Sequence, residues 1–154
     1  MDLAAARRAY NESTQFLLRE AALVTDEQLD RRVGTEWSPR QILHHVADSE
    51  THGYIRLRRL LAEPAGSIIP GYDESAWAEC DALGYLELPV THSRAVFRSV
   101  RAASLDLLER LAPADLERYG QHTETGHYTL GDWLDIYIRH PLEHARQLHE
   151  AQRG

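Results

Sequence analysis

Apolar residues return every three or four positions through most of this chain, a period that builds helices and little else. Leu3, Ala6, Tyr10, Leu17, Ala21 and Val24 place residues 2–24 on one amphipathic helix. Thr25-Asp26-Glu27-Gln28 is a capping-box pattern that starts a short helix ended by Gly34. Ser38-Pro39-Arg40-Gln41 opens a second long helix: Ser38 suits the N-cap, Pro39 the first turn, and Gln41 closes the box. It runs to about Ala62, with Ile42, His45, Val46, Ser49, Gly53, Leu57 and Leu60 on its inner face. Pro89 begins a third, whose face is marked by Val96, Val100, Ala103, Leu107 and Leu111. Thr129-Leu130-Gly131-Asp132 caps a fourth over residues 130–151.

The connections are uneven. Residues 63–88 carry Pro64, Gly66, Pro70 and Gly71, with room for one short helix at 72–77. So long a crossover is often functional. Glu124-Thr125-Gly126-His127 is a turn joining two short extended pieces. Four long helices with these connections predict an all-α four-helix bundle, with residues 1–154 as a single domain.

Composition narrows the function. The net charge of −7 disfavours a broad nucleic-acid-binding surface. Cys80 is the sole cysteine, so a disulfide framework, a four-thiolate zinc site and a CxxC pair are excluded. Its surroundings offer nothing that lowers a thiol pKa, and it is expected to be buried and inert. The apolar runs are too short for a membrane span, and Asp2 stands where a signal peptide would carry basic residues. A cytoplasmic protein is expected. All 17 basic residues are arginine.

Nine histidines remain to be explained. His140 and His144 are four apart, so a helix stacks both on one side, the side shared with Leu130, Leu134, Tyr137 and Leu148. Pro141 removes a backbone donor between them and should bend the helix. His45 lies on the inner face of the second helix, whereas His44 is turned about 100° away, toward Arg40 and Asp48. Three neutral imidazoles would bind zinc or a similar ion with a position left open. The same three inward side chains also suit a packed, hydrogen-bonded core, and spacing leaves both readings open. His122 and His127 flank the turn and are expected to be exposed.

Trp37-Ser38-Pro39, then Ile42-Leu43-His44-His45-Val46-Ala47-Asp48-Ser49, resembles the second-helix signature of the DinB superfamily. Tyr54-Ile55-Arg56 and the run from Pro70-Gly71-Tyr72-Asp73-Glu74 to Glu79 are similar to its YfiT-like branch, whose members are named as metal-dependent hydrolases and bacillithiol S-transferases. Glu124-Thr125-Gly126, Tyr128-Thr129-Leu130, His140 and His144 continue the match in order. The resemblance implies a four-helix bundle holding one divalent metal, zinc or nickel, on His45, His140 and His144. It also implies a homodimer and, for some members, a bacillithiol-type thiol as cosubstrate.

His140-Pro141-Leu142-Glu143-His144 matches H-x-x-E-H as well, which makes Glu143 a candidate general base, although the chain is too short for that protease architecture. Tyr72, Asp73 and Trp77 in the crossover, with His52 two turns beyond His45, are the candidate substrate-binding residues for a small molecule; capping the bundle is their plainer role. The leading expectation, implied by the resemblance, is transfer of a thiol to an electrophile; a bound metal would convert a thiol of pKa about 8.5 to thiolate at neutral pH. Hydrolysis by a metal-activated water and a non-catalytic stress-response module are the alternatives.

Overall fold

The computed structural model describes residues 2–32, 34 and 36–153. Four long helices form the bundle: α1 (Leu3–Leu23), α2 (Pro39–Ala62), α4 (Thr91–Leu108) and α5 (Leu130–Arg153). The short helix α3 (Glu74–Glu79) lies in the crossover between α2 and α4. Helix α1 packs chiefly on α5, and α2 on both α4 and α5.

The predicted caps hold the helix starts. At α2, the Ser38 amide donates to Gln41 Oε1 (3.1 Å) and the Gln41 amide to Ser38 Oγ (3.4 Å), with Pro39 inside the first turn. At α5, Asp132 Oδ2 accepts from the Thr129 amide (2.8 Å), and Thr129 Oγ1 accepts from the Asp132 amide (3.0 Å). The Thr25 box caps a single 3₁₀ turn, Asp26–Gln28.

A small sheet closes one end. Strand β1 (Ile68–Ile69) runs parallel to β2 (Tyr119–His122), which pairs antiparallel with β3 (Gly126–Thr129). The β2–β3 hairpin turns through Gly126 at φ +80°, a conformation that suits glycine. It includes the pieces expected around the turn, but β1 was not expected. Two residues of sheet lie below any readable alternation.

The buried apolar residues form two clusters. One includes Tyr10, Leu57, Leu108, Trp133 and Tyr137; the other includes Leu17, Val46, Phe97, Ala145 and Leu148. On every long helix a polar step separates them: Ser13 and Thr14 on α1, Ser49 and Glu50 on α2, Arg101 and Ser104 on α4, His140 and His144 on α5. The bundle therefore has a polar layer between two apolar ones.

Arg101 is the centre of that layer. It is buried, at 1% exposure. Its Nε donates to Thr14 Oγ1 (2.7 Å), and its Nη2 donates to the Tyr10 carbonyl (2.7 Å) and Ser13 Oγ (2.9 Å). Its Nη1 donates to the Tyr137 carbonyl (2.6 Å) and contacts Glu50 Oε1 at 3.3 Å. The guanidinium carbon lies 3.4 Å from the Tyr10 ring centroid. One side chain on α4 is thus bonded to the other three long helices. Burial pushes the Glu50 carboxyl up, to about 7, while Arg101 pulls it down.

Helix α4 corrects the sequence reading by one residue along its length. The buried stripe is Phe97, Arg101, Ser104 and Leu108, and Val96 is exposed. Hydrophobicity alone turns Arg101 outward; its partners turn it in. Leu107 and Leu111 pack only at the margin of the core. Helix α4 also begins at Thr91, two residues beyond Pro89. Cys80, expected to be buried, is exposed at the C-terminal end of α3.

Gly53 sets how closely α2 and α5 approach. A Cβ there would overlap the Tyr137 ring, and the Gly53 carbonyl accepts from Trp133 Nε1 at 2.8 Å. Among the described residues, no helix is long and apolar enough to cross a membrane.

Replacing Arg101 by alanine strands the Glu50 carboxyl and several acceptors at the bundle centre. Urea denaturation of Arg101→Ala is expected to show a loss of about 3–5 kcal/mol, the range for breaking a buried ion pair by removing one partner. The exposed pair of Arg139 with Asp135 on α5 provides the contrast: Arg139→Ala should cost less than about 1 kcal/mol.

Candidate metal centre

Helices α2 and α5 bring His45, His140 and His144 to one point. His45 Nε2 lies 3.0 Å from His140 Nε2, which lies 3.1 Å from His144 Nε2. Within the group, the nearest ligating atoms all fall within 4.8 Å of one another. The i,i+4 stacking on α5 survives Pro141, because α5 remains one continuous helix through it. His45 is buried at 1% exposure, with the Trp37 ring centroid 4.8 Å away. His140 and His144 are half-buried.

Burial disfavours the imidazolium in all three. It lowers the His45 pKa to about 3, with His144 adding to the effect. It holds His140 well below the ordinary histidine value, and His144 below it as well. At neutral pH the centre is three uncharged rings. His140 Nε2 faces the Nε2 atoms of both His45 and His144, but in a neutral ring it carries either one hydrogen or one lone pair, so it can pair with only one of them. A cation among the three Nε2 atoms accepts all three lone pairs. Separations of 3.0–3.1 Å approach the edge of a tetrahedron with metal–nitrogen bonds of about 2.0–2.1 Å. The donor set therefore fits a divalent ion. His144 Nδ1 contacts Gln147 Oε1 at 2.7 Å, the kind of outer bond that would fix this ring as a ligand. Among the described residues, His45 Nδ1 and His140 Nδ1 have no hydrogen-bond partner.

The carboxylate that approaches this centre is Glu74, not Glu143. Glu74 Oε2 lies 3.9 Å from His45 Nε2, and its side chain is 52% exposed. Partial burial raises its carboxyl pKa; Arg56 opposes that shift and Glu124 adds to it. Glu143 lies on the exposed face of α5. Glu74, half-exposed on a six-residue helix, carries no sequence signal of its own. Asp73, proposed as a wall of the pocket, caps α3 instead: its Oδ1 accepts from the Ala76 amide at 2.9 Å. An Asp immediately before the first helical residue, able to accept from the amide three residues on, is an N-cap signal, which leaves Glu74 free for the site.

His52, Tyr72 and Trp77 do come together. The His52 and Tyr72 rings stack at 4.1 Å, 5° from parallel, and Trp77 meets both at 5.2 and 4.9 Å. His52 and Trp77 line a cavity of about 390 Å³ with Ile55, Arg56, Arg59 and Pro70. His44 is not solvated as expected. It is buried, with Nδ1 2.8 Å from Ser93 Oγ and Nε2 3.1 Å from the Leu88 carbonyl, which ties α2 to the start of α4. Asp48 accepts from the Tyr85 hydroxyl at 2.6 Å. His122 is buried against Tyr128 rather than exposed, whereas His127 is exposed.

Residues 9–148 match the family model of the DinB superfamily. The chain belongs to the DinB superfamily. Two relatives carry the name putative metal-dependent hydrolase. The one from Oceanobacillus iheyensis is 35% identical over 135 residues, covering 86% of this chain and 76% of its own. The one from Bacillus mycoides is 36% identical over 134 residues, covering 86% and 75%. YfiT from Bacillus subtilis, described as having an unusual four-helix bundle topology, superposes with a TM-score of 0.87 at 28% identity, over 98% of this chain and 86% of its own. The bundle of this DinB-superfamily chain is that fold.

If the three histidines are the ligands, His45→Ala, His140→Ala and His144→Ala should each weaken zinc binding by more than the roughly 10–100-fold typical of losing an outer partner. Glu143→Ala should bind as the unaltered protein does. Isothermal titration of the four variants checks both statements.

Proposed function

We propose that this chain is a metal-dependent hydrolase of small molecules, with one divalent ion, zinc or nickel, held by His45, His140 and His144. The observation that carries the reading is a half-exposed carboxylate, Glu74, placed 3.9 Å from a convergent set of three neutral imidazoles. The ion, when bound, lowers the pKa of a coordinated water and polarises the bond to be broken. Glu74 then has the role of general base: it takes the proton from the attacking water and returns it to the leaving group. Arg56, whose charge reaches Glu74, keeps the carboxyl from rising further. The cavity beside the stacked His52 and Tyr72 rings receives the body of the substrate, with Trp77 as its aromatic wall. Names of the relatives agree with this chemistry.

Thiol transfer, the expectation drawn from resemblance, remains the second reading. The observation in its favour is the pair of guanidinium groups, Arg56 and Arg59, lining the cavity. They suit an anionic cosubstrate such as a carboxylate-bearing thiol. In that reaction a thiolate displaces a leaving group from the electrophile, and a base is less needed because the ion itself stabilises the thiolate.

Two assays on the zinc-loaded protein separate the readings. Hydrolysis predicts turnover of p-nitrophenyl acetate without thiol, and a kcat for Glu74→Gln lower by about 10²–10⁴ at unchanged zinc content. Turnover seen only as bacillithiol addition to 1-chloro-2,4-dinitrobenzene, at equal rates in both proteins, would replace hydrolysis by thiol transfer.

A further inference from the structure

Pro141 follows His140 inside α5 and has no amide hydrogen. In an uninterrupted helix the amide of residue 141 would bond the carbonyl of Tyr137. That carbonyl is instead taken by Arg101 Nη1, at 2.6 Å. The proline vacates an acceptor, and a buried guanidinium from another helix fills it. The same guanidinium is fixed by Tyr10, Ser13 and Thr14 on α1 and by Glu50 on α2.

The carbonyl so anchored lies three residues before His140. A ligating histidine is ordinarily oriented by a bond from its second ring nitrogen. His144 has such a bond, through Gln147. His140 does not: its Nδ1 is buried and has no hydrogen-bond partner among the described residues. Its ring must be placed by something other than a direct hydrogen bond.

We infer that Arg101 is a positioning residue for the metal centre, acting through the Tyr137 carbonyl that Pro141 leaves open, and that this backbone anchor replaces the outer hydrogen bond His140 lacks. The pairing of a proline and an arginine fixes the turn of α5 that carries His140 against the three other long helices. Arg101 itself touches none of the three imidazoles in the described hydrogen bonds. The inference rests on the reading of the three histidines as metal ligands.

The test is Pro141→Ala. Alanine supplies an amide that competes with Arg101 for the Tyr137 carbonyl, and it is the better helix former, so the variant should fold. Cobalt(II) affinity, measured by competition with a chelator, is expected to fall about tenfold. The visible absorption of the cobalt-loaded protein should shift, while the far-ultraviolet circular dichroism and the urea midpoint of the metal-free protein are not lowered. Arg101→Lys, which keeps the charge and loses the fork, should move affinity and spectrum the same way; it decides the matter if Pro141→Ala does not fold. Affinity and spectrum equal to those of the unaltered protein, in a folded variant, overturn the positioning role and leave the proposed function standing. Unaltered protein that takes up no cobalt overturns both.

Discussion

A permanently charged guanidinium buried at the middle of a four-helix bundle constrains everything around it. Arg101 cannot shed its proton, so each surrounding element must offer it an acceptor. Helix α1 offers the Tyr10 carbonyl and two hydroxyls, α2 a carboxylate, and α5 a backbone carbonyl. The Tyr10 carbonyl, inside α1, accepts from Arg101 with its second lone pair, whereas the Tyr137 carbonyl is left without a helical amide by Pro141. A helix breaker in mid-helix and a charge in mid-core, each unfavourable alone, satisfy one another. A buried group of this kind need not add net stability. It does set the register of four helices, since few other alignments meet all its donors.

The polar layer that Arg101 organises also reaches the histidines. His45 lies one turn before Ser49 and Glu50 on α2, and His140 immediately precedes Pro141 on α5. Apolar clusters lie on either side along the bundle. The histidines are thereby dry enough to be neutral and near enough to share an ion. The crossover completes the site from outside. Asp73 caps α3, Trp77 packs on His52 and Tyr72, and the helix start so fixed carries Glu74 to within 3.9 Å of His45 Nε2. Rigid helices supply the candidate metal ligands, and the connection supplies the candidate base and the candidate substrate wall.

Much of this was legible in the chain. The long helices and the caps at Ser38 and Thr129 follow from period and cap chemistry, both of which act over a few residues; period also puts His45, His140 and His144 on inner faces, and the family resemblance joins them into one set. Helix α4 was misplaced by one residue because its buried face contains Arg101 and Ser104, and a hydrophobicity pattern has no term for a polar group whose partners lie 36 to 91 residues away. His44 was misjudged for the same reason; its partners Leu88 and Ser93 arrive only when the crossover folds back. Glu74 was missed because a half-exposed carboxylate on a six-residue helix has no pattern of its own. What sequence shows poorly here is polar burial, and polar burial is what builds the site.

The central claim is that three neutral imidazoles form one site for a divalent ion. Anomalous X-ray scattering at the zinc edge, from crystals grown with about one equivalent of zinc per chain, tests it most directly. A single peak is expected, bounded by the Nε2 atoms of His45, His140 and His144 at bond lengths of about 2.0–2.1 Å. A map without a peak there, with the three rings unmoved, would make them core residues and remove the basis for metal-dependent chemistry in this chain.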